Sequence, residues 1–336
     1  VSQEQRNVGT LRRLGRKRPS RGLATVFVAT LALFVIGGIT APSSVDKGAL
    51  LATLPFAAVL AIAALGQTLV VQQGGIDLSI AGSMSLVIVI VSHYPEGDSG
   101  KLLPAVLIAI AAAVGAGLCN GFLIGVLELN PIVATLGTNA LLYGVVLGYS
   151  GGTPRTTTTR LANVANGVTL GVPNAIYFAV IAVVLVTSIV KLTAVGRRFE
   201  GVGSNRLAAL TTGLRVRRHR TGAYVWAQLL YCLAAVLLAG IVNQPIAYEG
   251  DQYLLPSVAA VVLGGTSLLG GRGNIVATAI AAVFLTQLDQ YVLALGVTFA
   301  ERTLVQAGAL AVGVALYSVD WPAIAHRRAQ RLPSAT

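Results

Sequence analysis

Apolar runs close to 20 residues long recur from residue 23 to residue 319, separated by short polar or glycine-rich breaks. A helix needs about 20 apolar residues to cross a bilayer. Backbone groups in lipid must be satisfied within their own segment, which makes the helix the default. The pattern predicts an all-α fold: a polytopic transmembrane helical bundle of about ten spans. They fall at 23–41, 49–71, 78–93, 102–127, 131–150, 173–193, 222–243, 254–270, 274–292 and 299–319. A single membrane domain, 23–319, then lies between a basic tail, 1–22, and a second tail, 320–336, with one large polar loop at 194–221. The first run, Leu23–Ile39, is longer than the apolar core of a signal peptide and no clear small-x-small site follows, so it is read as a retained span.

Several spans are interrupted. Gly74-Gly75 separates the second from the third, and Gly264-Gly265 and Gly270-Gly271 bracket the end of the eighth. Such breaks at membrane depth survive only where protein or a water-filled cavity surrounds them. They fit tight turns and close helix packing, or breaks beside a transport path.

Composition supports the membrane assignment. The chain has 336 residues, 55% hydrophobic and 11% charged, against about 25% charged in a soluble domain. The net charge of +12 does not point to nucleic acid, because the basic residues cluster between apolar spans instead of on a soluble platform. With the N-terminus in the cytoplasm, ten spans put both termini and the loop 194–221 inside. This places 19 of the 24 Lys and Arg on the cytoplasmic side, as the positive-inside rule requires. Lys47, Lys101, Arg155, Arg160 and Arg302 then lie outside, with the connections near 46, 97, 160, 249 and 296. The outer loop 151–172 is polar, turn-rich and long enough for a short surface element. Cys119 and Cys232 sit inside apolar runs, so they read as packing residues and not as a disulfide.

The inner loop carries the clearest local signal. Ser204 or Asn205 can cap a helix, Ala208, Ala209 and Leu210 favour one, and Gly213 stands where it would end. Leu207, Leu210 and Leu214 share a face by spacing. So short a helix is unstable alone and needs another surface, either its own bundle and the headgroup layer or a soluble partner. Asp77, in Gly74-Gly75-Ile76-Asp77-Leu78-Ser79, is placed to N-cap the third span near the cytoplasmic face, with a proton-relay role as the alternative. Arg272, at the inner turn between spans eight and nine, fits snorkelling or pairing with a partner's carboxylate. Asn120, Asn139, Tyr143, Asn243 and Gln287 are polar groups within or near spans, suited to helix–helix hydrogen bonds or to lining a path for a hydroxyl-rich solute. A phosphate-binding GxxxxGK[ST] loop is missing. The three histidines are scattered, which argues against a metal site, and no nucleophile–base arrangement stands out. The chain thus reads as a non-enzyme.

Four stretches together resemble the permease subunits of ATP-binding-cassette importers for monosaccharides, of the ribose/xylose/arabinose type. They are Gly66-Gln67-Thr68 with Gly74-Gly75-Ile76-Asp77-Leu78-Ser79; Asn130-Pro131-Ile132-Val133-Ala134-Thr135-Leu136-Gly137-Thr138; Gly196-Arg197-Arg198 with Gly203-Ser204-Asn205 and Ala208-Ala209; and Gly264-Gly265-Thr266-Ser267 with Gly270-Gly271-Arg272-Gly273. They cover roughly residues 60–315. Ala81 and Gly201 depart from the usual family residues, and the loop ends in an unusually basic Arg215–Arg220. The resemblance implies a multi-pass bacterial inner-membrane protein that pairs with a second permease. It also implies separate ATPase subunits holding ATP and Mg, and an extracytoplasmic binding protein delivering a monosaccharide. The helix 205–213 would be the segment that couples to the ATPase. Related permeases for branched-chain amino acids or nucleosides are the alternative. The scarcity of intramembrane charge counts against a stand-alone secondary transporter.

Overall fold

The computed structural model describes residues 21–298, 300, 301, 303–305, 307, 308 and 311. The N-terminal basic cluster up to Arg18, most of the run 299–319 and the tail 320–336 lie outside the described residues. The helices are α1 (Arg21–Thr40), α2 (Lys47–Gln72), α3 (Ile80–His93), α4 (Leu102–Gly125), α5 (Pro131–Ser150), α6 (Thr159–Asn166), α7 (Asn174–Leu192), α8 (Ala194–Ser204), α9 (Arg206–Thr211), α10 (Val216–Val242), α11 (Leu254–Leu263) and α12 (Ile275–Ala294). Seven of these are long and apolar enough to cross a membrane: α1, α2, α4, α5, α7, α10 and α12. Two shorter apolar helices, α3 and α11, stand where the sequence pattern predicts spans three and eight. The outer loop holds α6 and a two-stranded antiparallel pair, β1 (Val168–Thr169) with β2 (Val172–Pro173).

Packing sorts the helices into a centre and a rim. Every residue of α3 is buried, as is every residue of α2 from Ala57 to Gln72. These helices are apolar all round, as buried helices are. The rim helices bury one stripe. In α4 it is Ala105, Ala109, Ala113, Ala116, Gly117, Asn120, Gly121 and Ile124. Such small residues let helices approach closely where lipid offers no hydrophobic drive. The rest of α4, α5 and α7 exposes large apolar side chains such as Leu107, Leu141 and Leu185.

Three differences from the pattern have physical causes. First, α3 has 14 residues, about 21 Å of helix, short of a hydrocarbon core of about 30 Å. Residues 75–79 are non-helical and climb back along α2 before α3 begins, because Gly74 (φ 75°) turns the chain inward. Second, span eight is helical only over Leu254–Leu263, about 15 Å; the rest is a glycine turn. The connection near 249 does not stay at the outer surface: Gly250 N–H donates to Ser85 Oγ at 3.1 Å, in the second turn of α3. The segment 243–253 is therefore re-entrant. Third, the inner loop contains two helices, α8 and α9, separated by Asn205.

Candidate coupling surface and polar core

The α8–α9 pair is built by local capping. Thr193 Oγ1 accepts from Gly196 N (3.1 Å) to start α8, and Arg197 reaches back to the Leu192 carbonyl (3.3 Å). Lys191 pairs with Glu200 across the α7–α8 corner. Asn205, not Ser204, caps α9, its Oδ1 accepting from Ala208 N at 3.0 Å. At the other end Gly213 takes a left-handed φ of 77° and Leu214 N–H closes onto the Ala209 carbonyl (3.0 Å), satisfying a helix-end acceptor. Ala209, Val202 and Val216 form a small buried apolar cluster with Leu214 against it. This splits the predicted leucine stripe: Leu214 packs inward, whereas Leu207 and Leu210 are 75% and 50% exposed. Arg206 at the start of α9 pairs with Glu128 in the α4–α5 turn. The result is a short helix clamped at its back, with two leucines facing outward.

Directly above it, the sequence motifs that lie far apart along the chain meet. Gly203 at the end of α8 lies so close to Gln72 that a Cβ would collide with the Gln72 carbonyl. That same carbonyl accepts from Gly271 N at 2.8 Å. A Cβ on Gly271 would strike Ser204. Three backbones, from the ends of α2, of α8 and of the α11–α12 turn, thus touch with no side chain between them. Gly265, Gly270 and Gly271 hold positive φ, Gly264 packs on Thr278 of α12, Gly75 lies beneath Tyr224, and Arg272 is exposed beside this joint.

Further in, Asp77 is wholly buried. It does not cap α3 directly, since the helix starts at Ile80. Asp77 Oδ1 instead accepts from Ser79 N (2.9 Å) and Ser79 Oγ (2.5 Å), and Oδ2 accepts from Gln228 Nε2 (3.2 Å). Ser79 Oγ also accepts from Asn120 Nδ2 (2.8 Å) and Gln228 Nε2 (2.9 Å). The Gln67 amide faces the Asp77 backbone N–H and carbonyl (3.2 Å each) and the Tyr231 hydroxyl (2.8 Å). Asp77 and Ser79 together therefore form a hub that ties α2, α4 and α10 to the start of α3. The expected position near the cytoplasmic face fails because residues 75–79 carry Asp77 to the level of Gln67, five residues inside the end of α2.

The remaining polar positions separate. Gln287 is buried and donates to the Ser44 carbonyl at 3.1 Å, away from the hub. Asn139 Oδ1 accepts from Gly82 N at 2.7 Å near the middle of α5, and one turn further out Tyr143 donates to Asp251 with Ser85 Oγ at 3.4 Å. Asn243 receives Thr157 N at its carbonyl (2.8 Å) at the outer end. Reasoning from sequence overlooked Gln228, although an amide in an apolar span was the very criterion that selected Asn120. It also overlooked Gln72 and Glu128, whose roles depend on tertiary approach.

Comparison with known proteins decides the family. Residues 49–321 match the family described as branched-chain amino acid transport system / permease component. The chain belongs to this family of import permeases. It is 33% identical over 293 residues to a ribose import permease protein of Bacillus subtilis (strain 168), covering 86% of this chain and 91% of that one. It is 31% identical over 292 residues to the ribose import permease protein of Escherichia coli (strain K12), 85% and 91% covered. It is 30% identical over 268 residues to an autoinducer 2 import system permease protein of Salmonella paratyphi B (strain ATCC BAA-1250 / SPB7), 79% and 77% covered. No solved structure matches. The chain is accordingly a multi-pass bacterial inner-membrane permease subunit of an import system, a transport component rather than an enzyme.

Proposed function

We propose that α9 is the contact through which a separate ATPase subunit drives this permease, and that the cargo is a pentose or similar monosaccharide. The carrying observation is the outward presentation of Leu207 and Leu210 by a helix capped at both ends and braced by Ala209 and the Arg206–Glu128 pair. Exposed leucines on a basic, polar loop gain most by entering an apolar groove. The glycine joint ties this loop to α2 and to the α11–α12 turn, so displacement of α9 is transmitted to the bundle without a compressible side-chain layer. ATP and Mg belong to the ATPase, and this chain forms no covalent intermediate. An extracytoplasmic binding protein docks on the outer loops, α6 among them. A second permease, identical or related, completes the path, and ATP-driven closure switches the pair between outward- and inward-open states. The names of the ribose import relatives support the cargo class.

The test is co-purification of the tagged chain with the ATPase encoded beside its gene. The unsubstituted chain retains the ATPase. Leu207→Asp with Leu210→Asp loses it while the permease itself stays folded. Retention of the ATPase by the double variant would refute the assignment of α9.

A further inference from the structure

Resting on the reading of the chain as a monosaccharide permease, we propose that Tyr143, Asp251 and Tyr248 form a water-facing sugar contact site on the re-entrant segment. Tyr143 lies seven residues before the outer end of α5, about 10 Å inward. Gly250 rests on Ala81 and Ser85 in the first turns of α3, about 12 Å or more from that helix's outer end at His93. A Cβ on Gly250 would collide with the Ala81 carbonyl, so glycine permits the descent. The segment is irregular backbone at membrane depth, which requires protein or water around it.

Asp251 and Gln252 are exposed, Tyr248 is 45% exposed, and Tyr143 is half-buried. A carboxylate at this depth costs several kcal/mol against lipid. Among the described residues its side-chain partner is a hydroxyl, Tyr143, and no salt bridge holds it. The group therefore faces water. Further out on the same side, a cavity of about 430 Å³ lined by Ser92, Glu96, Gly97, Arg155 and Thr156 lies beyond the ends of α3 and α5. Ser92 is seven residues, about 10 Å, above Ser85 on α3.

The Tyr143 and Tyr248 rings lie 5.3 Å apart, tilted by 37°, and offer an apolar face for the C–H side of a sugar ring. Asp251 accepts from sugar hydroxyls, and Gln252 and the Tyr143 hydroxyl donate or accept. This set suits a neutral polyol better than a branched aliphatic side chain, which would leave the carboxylate unpaired.

Two measurements on the complete importer test the site. Single cysteines are placed at Tyr248 and Gln252 in a chain with Cys119 and Cys232 replaced by Ala. They are treated in spheroplasts with a membrane-impermeant maleimide. Thr156→Cys marks the outer cavity and Leu141→Cys the apolar flank of α5. Tyr248→Cys and Gln252→Cys are expected to react at close to the Thr156→Cys rate and on the order of a hundredfold faster than Leu141→Cys, because only a hydrated thiolate reacts. Rates as slow as Leu141→Cys would place the patch against lipid or a second chain and overturn the proposal. In the reconstituted complex, Asp251→Asn and Tyr143→Phe are expected to lower uptake of D-ribose, D-xylose or L-arabinose about tenfold. They should also change the preference among these sugars, with ATPase association kept. Unchanged uptake and preference in both variants would overturn the contact site alone. An unsubstituted complex that carries none of the three would overturn the cargo reading beneath it.

Discussion

The inner and outer halves of the bundle are assembled on opposite principles. At the inner end, Gly203, Gly271 and the Gln72 carbonyl meet backbone to backbone, a contact with almost no rotational freedom. In the outer half, Tyr143, Ser85 and Asp251 meet through side-chain hydrogen bonds around an irregular segment. The first arrangement passes on displacement; the second re-forms at low cost around different partners. A transporter needs both: a stiff input beside its motor and an adaptable surface beside its cargo.

The sharpest way to break this comparison is Gly203→Val. The added side chain must displace the Gln72 carbonyl, an overpacking that costs about 1–3 kcal/mol. Uptake should be abolished and the melting temperature of the purified permease lowered. A variant that transports normally would show that the joint has slack. A smaller effect is expected at the hub. Gln228→Leu removes donors to both Asp77 and Ser79 while its own carbonyl oxygen has no partner to lose among the described residues. The buried carboxylate is left short of hydrogen bonds, a cost of about 1–3 kcal/mol, readable as earlier thermal unfolding. Gln228→Glu would raise the cost by adding a second buried acid. The mildest change is Asn205→Ala. Losing the α9 cap costs about 1 kcal/mol of local helix stability and should weaken ATPase association severalfold without moving the global melting transition.

Much of this architecture could be read from the chain. The long runs α1, α2, α4, α5, α7, α10 and α12 follow from hydropathy alone, because lipid forces each helix to satisfy itself. Asn205, Ala209 and Gly213 were legible because capping is local. The short α3 was nearly so, the pattern giving 78–93 for a helix at Ile80–His93, but the half-length of α11 was not. Hydropathy counts apolar residues and says nothing of whether they descend as helix or as extended chain, so Leu78-Ser79 and the turn after Leu263 were merged into their spans. The depth of Asp77 was hidden for the same reason: only the return of residues 75–79 along α2 brings it to Gln67 and Gln228. The meeting of Gly203 with Gln72 and Gly271 joins residues 131 and 68 positions apart, and no local rule encodes it.

The brevity of α11 also bears on how the chain is made. A helix of about 15 Å, preceded by an irregular stretch from 243 to 253, cannot partition into hydrocarbon by itself, because its free backbone amides and carbonyls would find no partners there. It needs a receptacle, and α2, α3 and α5, which supply Ser85, Ala81, Tyr143 and the walls around them, all emerge earlier from the ribosome. The amino-terminal half thus serves the later segment as a template during biogenesis, and the direction of synthesis is the direction in which this bundle can be completed.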